Sequence, residues 1–446
     1  MRGPGASALS LLCALGAAAA AARAQPPPAP RPQITRVVHQ PPSTLPSIGP
    51  RHAPVTIEVY ANLGDGSATG QVHRLLLELA ERHPRRLRVV YRLVSAGEQS
   101  NPHLEVAQEA FVQGRFRTFV DEMYGTRFVS PRTSELKEIA ARAGLDTRKL
   151  EQALDDGRHA PVMAANHFHR KRHRVRRVPG LLINGAYYDK RPRSIDEQEA
   201  AYDEAYARAT DLLARGVRLD DLHGRLVLDV VAARPEPVVG PGAVDGLRPG
   251  ERPPIGPAPL IVPPSGGQKW SRGPDGAPVP IVFFCNFQTR NCGQMGRTLD
   301  EIAAAYPEVR LVFRPLFDPG DRRQDQARAL AELALCADEQ HRFWSFYDHA
   351  LREARQGQGL LGASTTDELA ATLELDGKLL ARCLESPATR KRVEEARRQA
   401  RAAGVRHTPA VVVGGRLYTG TKSFDELAGL VDRQLLPGVL GRLAPE

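Results

Sequence analysis

The chain of 446 residues carries the same pattern twice. SIGPRHAPVTIEVYANL, beginning at Ser47, and SRGPDGAPVPIVFFCNF, beginning at Ser271, share Ser, Gly-Pro, Ala-Pro-Val, Ile and Asn at one constant offset of 224. Gln113, Phe116, Phe119 and Asp121 return as Gln340, Phe343, Phe346 and Asp348, offset by 227. VRRVPGLLINGAYY returns as VRHTPAVVVGGRLY, with Pro179 against Pro409. An order kept with a drift of only a few residues marks a duplicated unit of roughly 170 residues, a common domain size. Whatever fold is assigned to one copy must therefore serve the other.

Each copy follows one grammar. An apolar strand (VTIEVY; PIVFF) meets a turn and an amphipathic helix (VHRLLLELAERH; MGRTLDEIAAAY), and a second buried strand follows (LRVVYRLV; VRLVFRPLF). A largely helical stretch comes next, then a strand led by X-Pro and ended by glycine (VPGLLING; TPAVVVGG), and a terminal helix. Strand–helix–strand with continuously apolar strands implies a parallel pair joined by a right-handed crossover. The expected class is α/β with an all-helical insertion in each copy.

The rest of the chain separates the copies. Residues 1–24, with one early charge, the run ALSLLCALGAAAAAA and Ala22-Arg23-Ala24 as a small-x-small cleavage site, are expected to be an export signal. Leu12 before Cys13 argues against a lipoprotein, and no later segment reaches the roughly 18 apolar residues of a helical span. Residues 25–46 are a proline-rich leader, 47–215 the first domain, 216–267 a linker, 268–436 the second domain and 437–446 a tail. Within the linker, residues 234–267 are half proline and glycine, too little apolar surface to fold alone. An exported, envelope-located chain tolerates disulfides, and four cysteines remain after the signal: Cys285, Cys292, Cys336 and Cys383.

GPDGAPVPIVFFCNFQTRNC resembles the opening of DsbA-like thioredoxin-fold proteins. ALCADEQHRFWSF and ARCLESP resemble that family's helical insertion, and GVRHTPAVVVGG its proline loop. The resemblance spans nearly all of 268–436 and, more weakly, 47–215, implying two tandem thioredoxin-like domains, each with a DsbA-type insertion. The family works through a Cys-x-x-Cys pair whose first cysteine attacks and whose second resolves. Alignment on Phe284 and Asn286 places Thr289 at the attacking position and Cys292 at the resolving one. The same alignment puts Asp65 to Ala68 in the first copy, without sulfur, so that site reads as vestigial together with Val178 and Pro179. The resemblance also implies a cis bond before Pro409, with Thr408 and Pro409 facing the site, and a structural disulfide between Cys336 and Cys383. Glu109 replaces Cys336 in the first copy.

Three readings of Cys292 stand open: a residual buried thiol, a monothiol site, and a disulfide with Cys285. The monothiol reading draws on Thr289-x-x-Cys292, which also resembles the peroxidatic motif of peroxiredoxins. The formal net charge of +10 adds a further expectation, because NHFHRKRHRVRR over 166–177 holds six Lys/Arg and three His. It reads as a solvated face or as an anion site for acidic peptide or envelope polyanion. His169 and His173 have metal-pair spacing without a convincing third ligand, and no cofactor or metal is expected. Nucleic acid is disfavoured as a partner. The leading functional expectation is peptide or protein binding in the envelope on degenerate redox sites, against a Cys292-dependent oxidoreductase or peroxidase and a basic polyanion-binding module.

Overall fold

A computed structural model describes residues 44–64, 66–95, 101–125, 131–190, 192–235, 237–240, 242, 270–317, 322–357 and 366–440. The expected export signal, most of the leader, Asp65, the linker beyond residue 242 and the tail from 441 lie outside the described residues.

The first copy runs β1 (Ser47–Ile48), β2 (Val55–Ala61), α1 (Gly66–Arg82), β3 (Leu87–Leu93), α2 (Pro102–Val112), α3 (Phe116–Gly125), α4 (Thr133–Arg142), α5 (Thr147–Asp155), α6 (Ala160–Arg172), β4 (Gly180–Ile183), β5 (Ala186–Tyr188) and α7 (Ile195–Ala214). An additional helix, α8 (Leu219–Ala232), follows. The second copy repeats this as β6 (Ser271–Arg272), β7 (Val279–Cys285), α9 (Arg290–Ala305), β8 (Val309–Pro315), α10 (Arg322–Glu339), α11 (Phe343–Gln356), α12 (Thr366–Thr372), α13 (Gly377–Glu385), α14 (Pro387–Ala402), β9 (Ala410–Val413), β10 (Arg416–Thr419) and α15 (Phe424–Leu440).

The sheets have matching orders, β1-β3-β2-β4-β5 and β10-β9-β7-β8-β6. In each, the first long strand pairs in parallel with the second, Val55↔Leu87 through Ala61↔Leu93 and Val279↔Val309 through Cys285↔Pro315. The strand after the proline loop pairs antiparallel on the other side, with Tyr60↔Gly180 and Phe284↔Ala410. The chain therefore folds as two tandem thioredoxin-like domains, each with a helical insertion between the parallel pair and the proline-led strand. Each closes its own core, one around Val59, Leu76, Tyr91 and Phe119, the other around Phe283, Leu299, Phe313 and Phe346.

Residues that recur in sequence recur in role. Gln113 accepts from the Asp146 amide at 2.7 Å and donates to the Asp146 carbonyl at 3.3 Å; Gln340 does the same with Asp376 at 2.8 and 3.3 Å. Asp146 and Asp376 each cap the next helix by accepting two backbone N–H groups, which satisfies donors that a helix start otherwise leaves orphaned. The β4–β5 hairpin turns through Asn184 and Gly185, both at positive φ (48° and 82°), the pair a type I′ turn requires. Gly185 is also required by space, since a Cβ there would lie 2.7 Å from the Val227 side chain.

Two expected boundaries move. Residues 216–267 do not form a linker throughout, because α8 occupies 219–232 and packs on α7 and α15. LDDLHGRLVLDVVA puts Leu222, Leu226 and Val227 on a buried face and Asp220 and Asp221 in the first turn, where they suit the helix dipole. The proline-rich composition starts only at Pro235. The terminal helix likewise continues past 436 to Leu440. Among the described residues no helix is long and apolar enough to cross a membrane.

Candidate functional site

In the second domain, β7 ends at Cys285 and a tight turn leads into α9. Asn286 organises that turn. Its Oδ1 accepts from the Gln288 amide at 3.0 Å, and its carbonyl accepts from the Thr289 amide and hydroxyl, both at 3.3 Å. Asn62, at the repeat offset of 224, accepts from the Gly64 amide at 3.1 Å and, through its carbonyl, from the Thr69 hydroxyl at 3.1 Å. Thr289 is the N-cap residue of α9, half-buried, with extended backbone. Cys292 lies on the first turn of α9, fully buried, and its Sγ accepts from the Asn286 amide at 3.1 Å.

The proline loop borders this turn. The Thr408–Pro409 bond is cis, Thr408 is buried, and the residue after Pro409 pairs with Phe284, one position before Cys285. The Gly420 amide donates to the Pro409 carbonyl at 2.7 Å. Two residues on, the Lys422 amide donates to Met295 Sδ at 3.3 Å, so the loop after β10 joins the proline loop to α9. Lys422 is itself buried, and its Nζ donates to the carbonyls of Thr419, Gly420 and Thr421.

The disulfide reading of Cys292 is corrected: neither Cys285 nor Cys292 is disulfide-bonded, and both are enclosed in the apolar core of this domain. A dithiol exchanger needs an exposed attacking thiolate and a resolving thiol. Here a hydroxyl stands at the helix start and the sulfur behind it has no exposed surface. Cys336 and Cys383 are joined, with their sulfurs 2.01 Å apart, tying α10 to α13.

α9 is pressed tightly onto α11. A Cβ on Gly293 would lie 2.7 Å from both the Arg355 amide nitrogen and the Leu351 carbonyl oxygen, and one on Gly296 would lie 2.4 Å from Leu351. Because Gly293 faces backbone, which cannot swing aside, Gly293→Ala should destabilise the second domain by about 1–3 kcal/mol. Urea unfolding followed by tryptophan fluorescence measures this selectively, since Trp270 and Trp344, the only tryptophans, both belong to that domain.

In the first domain Asp65 lies outside the described residues, and Ala68, at the position of Cys292, is half-buried on α1. The Val178–Pro179 bond is cis, and Gly180 pairs with Tyr60 as Ala410 does with Phe284. Polar groups absent from the sequence-derived site fill this domain. Glu58 and Arg92 form a buried ion pair between β2 and β3. The Tyr60 hydroxyl and His169 Nδ1 are 2.6 Å apart, and Tyr91 and His73 Nδ1 2.7 Å. Burial holds His73 below the usual histidine range, against the opposing pull of Asp121. Glu109, at the repeat position of Cys336, lies 2.8 Å from His159 Nε2, a hydrogen-bonded clasp where the second domain has sulfur. An ionisable residue inside an otherwise apolar strand, as in VTIEVY, was the available signal.

The basic segment is not a solvated face. Asn166, His167, His173 and Val175 are buried and only Arg176 and Arg177 are exposed. Lys171 Nζ lies 2.9 Å from Glu301, and Arg172 lies 3.5 Å from Glu308. Two of the side chains expected to meet water or a polyanion, Lys171 and Arg172, are matched by acids of the second domain, while Arg177 lies 3.7 Å from Asp189 of its own domain. His169 and His173 stack at 4.3 Å, and among the described residues no three metal-ligating side chains converge.

Two stretches, 43–204 and 265–433, match the thioredoxin family model Thioredoxin_4. Two curated relatives, Na(+)/H(+) antiporter NhaA 3 of Salinispora tropica and Na(+)/H(+) antiporter NhaA 1 of Salinispora arenicola, are each 31% identical over 175 residues, 39% of this chain. That is 26% of either relative, so the chain spans about a quarter of their length. Similar solved structures include a thioredoxin-like oxidoreductase from Silicibacter pomeroyi, at 24% identity over 36% of this chain and 90% of that one, TM-score 0.31. α-DsbA1 of Wolbachia pipientis is 16% identical over 39% and 94%, TM-score 0.34, and BdbD from Bacillus subtilis 17% identical over 37% and 92%, TM-score 0.33. With one family model matched across both copies and more than half of its residues, the chain belongs to the thioredoxin family.

Proposed function

We propose that this is an exported thioredoxin-family protein of the cell envelope that binds extended segments of other proteins and has given up dithiol exchange. The observation that carries the reading is the second site itself: Thr289 at the helix start, a fully enclosed Cys292, and the Thr408–Pro409 loop leading into the strand beside them. A proline loop beside a sheet can offer backbone groups to an extended peptide without any thiol. The Cys336–Cys383 bridge then has a structural role, compatible with an oxidising compartment. The Asn286 amide, which donates to Cys292 Sγ at 3.1 Å, favours a second reading in which that sulfur works as a monothiol oxidoreductase or peroxidase.

One experiment separates the two. Binding of a permanently unfolded, carboxymethylated protein should be unchanged within twofold in Cys292→Ser and should weaken at least tenfold in Thr408→Trp, which puts a bulky ring on the proline loop. If Cys292→Ser instead abolishes turnover of a disulfide or peroxide substrate by the wild-type chain, the enzymatic reading replaces the binding one.

A further inference from the structure

We propose that segment 166–177 of the first domain, together with Arg234, Pro237, Val239 and Gly240, is an internal docking surface whose partner is the second domain. The first copy then acts as a permanently attached subunit, and the tandem is one fixed body.

Sequence places six basic residues on and just after α6, and their charge needs a partner. α6 packs against α9, the helix that begins at Thr289. Lys171 pairs with Glu301 of α9 at 2.9 Å, and Arg172 with Glu308 at 3.5 Å. The acids are only 17% and 12% exposed, so these contacts are shielded from salt more than surface pairs are.

A closed circuit of four residues adds direction. The Arg172 guanidinium lies 4.3 Å from the Tyr306 ring centroid, in cation–π range. The Tyr306 hydroxyl donates to Asp432 Oδ1 at 3.0 Å, and Asp432 Oδ2 accepts from Arg234 at 2.8 Å. Arg234 in turn donates to the Arg172 carbonyl at 3.5 Å. Two residues come from each side, and every one has an opposite or complementary neighbour across the boundary.

The start of the linker reinforces the contact. Pro237 lies against Gly429, where a Cβ would come within 2.7 Å. Val239 packs on the second core, and the Gly240 amide donates to Glu426 at 2.8 Å. Phe168, from the middle of the basic segment, also packs on the second core. A segment evolved for a polyanion would leave its cations exposed along one face. Here Lys171 and Arg172 are used against Glu301 and Glu308, Arg234 against Asp432, and Phe168 from the same segment packs on the second core.

The test uses the full mature chain. In Lys171→Glu/Arg172→Glu, solution X-ray scattering should show a larger maximum dimension, and amide hydrogen exchange in 166–173 and 298–306 should quicken at least tenfold. Adding Glu301→Lys/Glu308→Arg should restore both readouts, which a merely damaged fold would not allow. The fluorescence of Trp270 and Trp344 reports whether the second domain stays folded throughout. Scattering and exchange unchanged by the double reversal would overturn the proposal. So would an unrestored fourfold variant. Inorganic polyphosphate binding that the reversal abolishes without altering the scattering would overturn it in favour of an anion-binding face.

Discussion

Arg92→Met should cost the first domain about 3–5 kcal/mol, the range for leaving one member of a buried ion pair without its partner. Arg92 and Glu58 lie on adjacent central strands with side chains 5% and 3% exposed. Arg92 also donates to Asn166 at 3.3 Å, and Asn166 donates to the Leu93 carbonyl at 3.2 Å. Removing the guanidinium would strand a carboxylate where water cannot reach it. Val282 occupies the place of Glu58 in the second copy, so Glu58→Val added to Arg92→Met should recover most of the loss. Urea unfolding by far-UV circular dichroism, compared with the tryptophan signal of the second domain, separates the two domains. A loss below about 1 kcal/mol for Arg92→Met would mean that water reaches Glu58.

Removing the Cys336–Cys383 bridge should have a comparable effect on the other domain. It closes a loop of 47 residues, worth roughly 3–4 kcal/mol in the chain-entropy description. Cys336→Ala/Cys383→Ala should lower the tryptophan-detected midpoint accordingly, and a reducing agent should do the same to the wild-type chain. The first domain has no cysteine, its clasp being Glu109–His159, so its transition should not respond directly to reductant. Equal stability with and without reductant would show that the bridge is not formed in solution.

Much of the architecture was legible because it is written locally. Apolar runs such as VTIEVY and PIVFF are strands in any context that buries them, and Asp146 and Asp376 stand one residue before their helices. The duplication doubled the signal: Asn62 and Asn286, or Gln113 and Gln340, recur because each pair makes the same kind of hydrogen bond. α8 was lost to a compositional argument that holds only after Arg234 and was extended eighteen residues too early, to 216.

The sequence by itself determined the repeat, the two α/β domains, the absence of a cysteine pair at either helix start and the positions of both proline loops. Each depends on residue identity or on contacts between chain neighbours. Tertiary structure alone decided that Cys292 is enclosed, that Glu58 faces Arg92, and that Lys171 and Arg172 meet Glu301 and Glu308 more than a hundred residues away. A charge or a thiol has the same letters whether buried or solvated. Its energy and reactivity are set by the dielectric and the partners that packing brings to it.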